Sequence, residues 1–177
     1  MGDPFDQAIA FTLGPSIEGG VSNVADDHGG LTNMGITQQT YDTYRAQHRL
    51  AQQPVTGVTP EEAQDLYRTM FWNAAHCPDL PDHLAIVHFD WAVNHSPGGA
   101  IETLQQALGV TADGLWGPKS AAACAAANED DLVSSYLTLR TQWYQNRVAG
   151  DPTQAKFLNG WLNRVAQLRT YVATLQV

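Results

Sequence analysis

One stretch of the chain decides its fold: Ser22-Asn23-Val24-Ala25-Asp26-Asp27-His28-Gly29-Gly30-Leu31-Thr32-Asn33-Met34-Gly35-Ile36. Its three glycines and several Asx residues are incompatible with a continuous helix. The stretch therefore predicts an ordered loop or a short hairpin. Alternating strand patterns are nearly absent elsewhere, so the expected fold class is mainly α, with a short loop or hairpin region near residues 20–37.

Helix signals surround this stretch on both sides. Asp3-Pro4 is an N-cap followed by a proline at the first helical position, and Thr59-Pro60-Glu61-Glu62 is a capping box. Pro81 opens another helix, in which Leu84, Ala85, Val87, His88 and Trp91 repeat at spacings of three and four. Further helices are predicted at residues 97–108, 118–127, 128–148 and 151–175. The Pro/Gly-rich segment at residues 95–99 is the expected boundary between two regions, 1–95 and 96–177.

The charge balance excludes some classes of partner. The chain has 177 residues, with 18 acidic and 9 basic side chains and a formal net charge of −9. Nucleic-acid binding needs clustered Lys and Arg, so we expect no nucleic-acid partner. Attraction to an anionic membrane or cell wall by charge alone is equally disfavoured.

The cysteines and the N-terminus bear on the compartment. Cys77 and Cys124 do not make a disulfide framework, and we expect two free, half-buried thiols. No apolar run approaches the length of a membrane span, and the acidic start lacks the features of a secretory signal. We therefore expect synthesis in the cytoplasm and no membrane insertion.

The candidate catalytic groups lie around the glycine-rich stretch. Glu18 follows an amphipathic helix and precedes Gly19-Gly20, where the negative end of the helix dipole raises a carboxyl pKa. Asp27 and Thr32 follow on the glycine-rich segment. An inverting glycosidase needs such a pair, with one carboxyl to protonate the leaving oxygen and one carboxylate to activate water. The alternative is a surface Glu18 beside ordinary turn residues.

The spacing of these groups is similar to a known signature. Glu18-Gly19-Gly20 and Asp27-x-Gly29-Gly30-x-Thr32-Asn33-x-Gly35-Ile36-Thr37 resemble glycoside hydrolase family 108, the N-acetylmuramidases of phages and bacteria. The resemblance continues through the segments Phe71-Trp72, Cys77-Pro78-Asp79-Leu80-Pro81, Phe89-Asp90-Trp91-Ala92-Val93-Asn94, Ala100-Ile101-x-x-Leu104-Gln105 and Phe157-x-x-Gly160-Trp161-Leu162-Asn163-Arg164-Val165. It implies a lysozyme-like catalytic region at 1–95 and a helical, peptidoglycan-binding-like region at 96–177.

The resemblance also implies an activity. Members of this family cleave the β-1,4 bond between N-acetylmuramic acid and N-acetylglucosamine. The resemblance implies the same reaction here, with Glu18 as the catalytic acid. Similarity to the Glu/Asp/Thr triad of phage-type lysozymes makes Asp27 the water-positioning carboxylate and Thr32 its assistant, and Asp26 competes for the Asp27 role. Two alternatives stay open: a lytic transglycosylase that uses Glu18 alone, and a non-catalytic peptidoglycan-binding module.

Four aromatic residues are candidates for contact with the saccharide. Trp116 lies in a stretch similar to the helix–loop–helix of peptidoglycan-binding modules, where it either packs or stacks on sugar. Tyr44, Trp72 and Tyr144 are the other candidates, although aromatics in helical patterns more often pack in the core.

No cofactor is expected. His83 and His88 are five residues apart, off a common helix face, and the sequence contains no His-Glu-x-x-His motif, so we predict no metal site. The expected partner is the peptidoglycan glycan strand, bound by a monomer. Without a signal peptide, the protein is expected to reach the wall after release by a holin or by another export route.

Overall fold

The computed structural model describes residues 2–14, 21–23 and 31–175. Eight α-helices dominate this part of the chain. They are α1 (Pro4–Leu13), α2 (Gln38–Gln47), α3 (Pro60–Tyr67), α4 (Asp82–Asn94), α5 (Pro97–Ala107), α6 (Pro118–Ala126), α7 (Glu129–Gly150) and α8 (Ala155–Thr174). Short 3₁₀ turns occur at Val55–Gly57, Cys77–Asp79 and Pro152–Gln154. The predicted mainly α, lysozyme-like fold is confirmed.

The helices begin where the capping signals predict. The Asp3 carboxylate accepts a hydrogen bond from the Phe5 amide at 3.0 Å, and the Thr59 hydroxyl accepts one from the Glu62 amide at 3.2 Å. Each cap satisfies an amide of the first turn that has no partner within the helix. The start of α4 is capped differently, because the Glu129 carboxylate on α7 accepts the His83 amide at 2.9 Å.

A small antiparallel sheet forms in the glycine-rich region. Its strands are β1 (Val21–Asn23), β2 (Leu31–Asn33) and β3 (Ile36–Thr37), in the order β1-β2-β3. The predicted loop or hairpin near residues 20–37 therefore contains two short antiparallel pairings.

Helix α4 lies at the centre of the core. All nine residues from Leu84 to Ala92 are buried, and α4 packs against α1, α5, α7 and α8. A helix that is apolar on nearly every side is stable only when it is surrounded in this way. One hydrophobic cluster extends from Phe5 on α1 to Val172 on α8. The predicted boundary at residue 95 falls in the turn between α4 and α5, and the division into two domains stays a prediction.

The helix that begins at Pro60 does not continue with a constant period. After Tyr67 it widens into a π-helical turn at Arg68–Asn73, whereas the apolar spacing predicts a regular helix through Phe71. Such turns add one residue and rotate the side chains that follow. Here Trp72 is buried between Phe5 and Phe89, at ring-centroid distances of 5.4 and 5.7 Å.

Both cysteines are free thiols, and both are buried rather than half-buried as expected. Burial raises the pKa of the Cys77 thiol well above its ordinary value. None of the described helices is long and apolar enough to cross a membrane.

Candidate active site

The sheet places Thr32 in a defined position. Thr32 lies at the middle of β2, where its backbone pairs with Ser22 on β1 and with Thr37 on β3. Its side chain is partly buried. The strand that carries the predicted water-positioning threonine is therefore paired on both sides, which holds it more rigidly than a free loop would.

The turn after β2 has a demanding geometry. Asn33 pairs with Ile36, and the two residues between them, Met34 and Gly35, both have positive φ, 51° and 74°. This is the pattern of a type I′ hairpin turn. The hydroxyl of the buried Tyr67 donates to the Met34 carbonyl at 3.1 Å, which ties the turn to α3.

One side chain of the sheet, Asn33, and the first residue of α2, Gln38, form hydrogen bonds with the chain at residues 53–55. The buried Asn33 amide donates to the Val55 carbonyl at 3.2 Å. Gln38 donates to the Gln53 carbonyl at 3.0 Å and accepts from the Val55 amide at 2.7 Å. Hydrogen bonds to backbone groups of residues 53 and 55 thus hold the hairpin and the start of α2 in place.

Three of the predicted carboxyl groups lie outside the described residues, namely Glu18, Asp26 and Asp27. The described elements show where the chain enters and leaves their segments. Residues 15–20 connect the end of α1 to β1, and residues 24–30 connect the paired residues Asn23 and Leu31. Their roles as acid and water-positioning base stay predictions.

A buried ion-pair network fixes the end of α1. The Asp90 carboxylate, on α4, is fully buried and forms ion pairs with Arg140 on α7 at 2.6 Å and Arg164 on α8 at 2.5 Å. The Thr12 hydroxyl on α1 donates to Asp90 at 3.1 Å. The Arg164 guanidinium also donates to the Thr12 carbonyl at 2.9 Å.

The electrostatics of this network favour the charged form of the acid. Burial alone would raise the pKa of Asp90, but the charges of Arg140 and Arg164 and their hydrogen bonds lower it below its ordinary value. The Arg140 guanidinium lies over the Trp91 ring, 4.7 Å from its centroid. Asp90 is therefore a structural carboxylate that is ionised whenever the protein is folded near neutral pH.

Three of the four predicted saccharide-binding aromatics are buried. Tyr44 and Tyr144 are each 4% exposed, and Trp72 is 5% exposed. The Tyr44 hydroxyl donates to the Asp65 carboxylate at 2.6 Å, and the Tyr144 ring stacks on Trp161 at 4.9 Å. These contacts show that the three side chains pack inside the protein, which is the alternative to contact with a saccharide.

The fourth aromatic, Trp116, is partly buried. Its ring stacks on His76, with centroids 6.2 Å apart, so it brings the segment before α6 against the 3₁₀ turn near Cys77. The turn just before it is organised by the buried Gln105 side chain, which accepts from the Asp113 amide at 2.9 Å and donates to the Leu115 carbonyl at 2.9 Å. Trp116 is the most accessible of the four predicted contacts.

Sequence reasoning missed Arg140, which is completely buried, and the positional role of Arg164. One signal was present: an aspartate within the apolar run of α4 needs a cationic partner, because an unpaired buried carboxylate is very costly. Among the described residues, no group of three or more His, Cys, Asp and Glu side chains could hold a metal ion.

Comparisons with known proteins cover most of the chain. A model of a family described as glycosyl hydrolase 108 matches residues 12–96, and one described as a predicted peptidoglycan domain matches residues 99–166. The solved structure of SagA from Brucella abortus is similar over 96% of this chain and 93% of that chain, at 30% sequence identity and a TM-score of 0.80. No curated protein matches the chain. The chain therefore belongs to the glycosyl hydrolase 108 family, with the predicted peptidoglycan domain following the hydrolase segment.

Proposed function

We propose that the protein is a peptidoglycan hydrolase of the lysozyme type, an N-acetylmuramidase. It cleaves the β-1,4 bond between N-acetylmuramic acid and N-acetylglucosamine. One observation carries the proposal: a glycosyl hydrolase segment at 12–96 is followed directly by a peptidoglycan domain at 99–166. A hydrolase of glycosidic bonds joined to a module for this polymer has peptidoglycan as its natural substrate.

In the proposed mechanism, the Glu18 carboxyl gives its proton to the glycosidic oxygen as the bond to the anomeric carbon breaks. A water molecule attacks that carbon from the opposite face and loses a proton to the Asp27 carboxylate. Thr32 holds the water beside Asp27. The paired strand β2 supports this assignment because it gives Thr32 a fixed backbone position.

Recognition of the glycan does not depend on a positive field. The net charge of −9 opposes attraction to a polymer that carries its own carboxylates. Binding then depends on hydrogen bonds and on stacking against aromatic rings. Of the four aromatic residues, Trp116 is the best candidate for contact with the saccharide, because it is the most exposed. Tyr44, Trp72 and Tyr144 are buried and contribute mainly to the packing of the protein.

The test compares Glu18→Gln with the matched variant Glu61→Gln on purified sacculi. Glu61 is exposed in the first turn of α3, so its substitution removes the same charge from a surface position. Loss of a general acid lowers the rate about 10²- to 10⁴-fold, and we expect Glu18→Gln to show such a loss while Glu61→Gln stays near wild type. A folded Glu18→Gln protein that releases fragments at the native rate would contradict the proposal.

Mass spectrometry of the products separates this function from the alternatives. Hydrolysis leaves reducing N-acetylmuramic acid ends, whereas a lytic transglycosylase leaves anhydro-muramic ends and needs no Asp27. Asp27→Asn therefore inactivates the hydrolase and spares the transglycosylase. Asp26→Asn is measured alongside it, because Asp26 competes for the same role. A protein that binds sacculi without releasing any soluble fragment would instead be a binding module.

We further propose that the protein acts as a monomer and reaches the wall through a holin or another export route. The acidic charge and the small number of basic residues disfavour passage across an outer membrane without help. Lysis of intact Gram-negative cells on external addition would argue against this route.

A further inference from the structure

The contact between α8 and the end of α1 joins the two segments that the family models match separately. Arg164 lies within the peptidoglycan-domain match at 99–166, and Thr12 is the first residue of the hydrolase match at 12–96. The side chain of Arg164 is 31% exposed, whereas that of Asp90 is fully buried. The Arg164 guanidinium, at the surface of the peptidoglycan-domain segment, therefore bonds to buried groups of the hydrolase segment.

We propose that Arg164 is a positioning residue for the hydrolytic reaction: it fixes the C-terminal end of α1, from which the chain enters the segment that carries Glu18. The inference rests on the proposed function, because it assigns Arg164 a share in a reaction for which Glu18 supplies the acid. The second segment then does more than hold the polymer, since it supplies a group on which catalytic geometry depends.

The hydrogen bonds form a closed ring around the last turn of α1. Arg164 donates to the Thr12 carbonyl at 2.9 Å and to Asp90 through Nε at 3.1 Å, and the Thr12 hydroxyl donates to the same carboxylate at 3.1 Å. Thr12 is thus held through both its backbone and its side chain. Two anchors of this kind restrict both rotation and sliding of the turn.

The chemistry of the contact suits the end of a helix. The last four carbonyls of a helix have no partner within it, and the C-terminal end carries partial negative charge. A guanidinium satisfies one of these carbonyls and complements that charge. Its planar fork also reaches Asp90 at the same time, which a lysine ammonium cannot do with the same geometry.

The contribution of Arg164 to the stability of the fold can be separated from its role in positioning the end of α1. If Arg164 is replaced, Asp90 keeps its ion pair with the fully buried Arg140 at 2.6 Å. The buried carboxylate is then still compensated, so the core retains its charge balance. What is lost is the bond to the Thr12 carbonyl, one of the two anchors of the last turn of α1, together with the bonds from Arg164 to Asp90.

The test uses the full chain and measures kcat and KM for release of reducing ends from purified sacculi, with urea unfolding alongside. Arg164→Gln is the principal variant. Arg169→Gln is its matched control, because Arg169 lies on the same helix but contacts the exposed Ser134 hydroxyl at 3.3 Å rather than α1. Sacculus binding is measured separately for Glu18→Gln with and without Arg164→Gln.

Displacement of a reacting group by about 1 Å can cost about a hundredfold in rate. We expect Arg164→Gln to lower kcat by about ten- to a hundredfold while KM and sacculus binding change less than about twofold. Arg164→Lys recovers part of kcat, and Arg169→Gln keeps the wild-type value. Val165→Ala, which truncates a neighbouring side chain that is 5% exposed, shows how much activity a loss of stability alone removes.

A folded Arg164→Gln protein with wild-type kcat overturns the inference, and so does a kcat loss no larger than that of an equally destabilised Val165→Ala. If Arg164→Gln does not fold, Arg164→Lys and Thr12→Val carry the test, and wild-type kcat in both overturns the inference. Failure of the proposed function is distinct from either result. It appears as a wild-type protein that releases no reducing ends, or as an active Glu18→Gln.

Discussion

The buried His88 makes the stability of the fold depend on pH. His88 is 0% exposed, with Nε2 3.0 Å from the Ala75 carbonyl and Nδ1 3.0 Å from the Tyr136 hydroxyl. This arrangement fits a neutral ring that carries its proton on Nε2 and donates it to the carbonyl. Burial, opposed by the bond to Ala75 and aided by repulsion from His76, lowers the pKa of His88 from 6.5 to about 4.

The sign of the effect follows from the two states. As the pH falls below 6.5, the unfolded chain takes up a proton at His88 and the folded protein does not, so the free energy of unfolding decreases. The decrease continues until the pH reaches about 4, the pKa in the folded state. At about 1.4 kcal/mol per pH unit, His88 removes about 3 kcal/mol over this interval.

The assay is urea unfolding of the wild type and His88→Gln between pH 7.5 and pH 4. Other groups titrate in the same interval, and the difference between the two proteins removes their contribution. We expect the wild-type advantage at pH 7.5 to shrink by about 3 kcal/mol on acidification. Tyr136→Phe keeps the histidine buried and should retain the wild-type slope. A difference between wild type and His88→Gln that is constant with pH would refute the reasoning.

Two further substitutions test the packing of the candidate site. Trp72→Ala should lower the free energy of unfolding, measured in urea, by about 3–5 kcal/mol, because it empties a core position. Trp116→Ala should mainly weaken binding to sacculi. If Trp72→Ala instead raised KM and kept native stability, Trp72 would be a saccharide contact. Gly35→Ala should lose about 1–3 kcal/mol in thermal unfolding, because φ is 74° and the new Cβ would lie 2.9 Å from the Tyr67 hydroxyl. The control Gly57→Ala meets its nearest atom at 3.7 Å, and an equal loss in both variants would contradict the clash.

Local signals in the sequence were sufficient for the helical framework. The caps at Asp3 and Thr59 start helices where the structure has them, because capping depends only on residues two or three positions apart. The glycine-rich segment likewise predicted a break in the helical pattern, and the strands and the type I′ turn at Met34 and Gly35 lie there.

Long-range partners were beyond the reach of the same reasoning. Asp90 is 74 residues from Arg164 and 78 from Thr12, and no local period links such positions. The burial of aromatic side chains was also not predictable, because the helical spacing of Trp72 and Tyr144 is equally compatible with a core position and with a surface position. The π-helical turn after Tyr67 was also not predicted, because the apolar spacing of the sequence does not distinguish it from a regular helix.

The docking of α8 on α1 has a consequence for the order in which the protein is made. Besides the bond from Arg164, the Tyr171 hydroxyl donates to the Gln7 carbonyl at 3.0 Å, and the Tyr171 ring lies 5.1 Å from Phe11. During translation α1 leaves the ribosome first and α8 last among the described helices, so α1 waits without these contacts for almost the whole of synthesis. Closing so long a loop is slow compared with forming local helices. The hydrolase segment therefore gains its last contacts with α8 only after residue 171 has emerged. In a nascent chain that stops earlier, α1 can pack on α4 but lacks the contacts from α8.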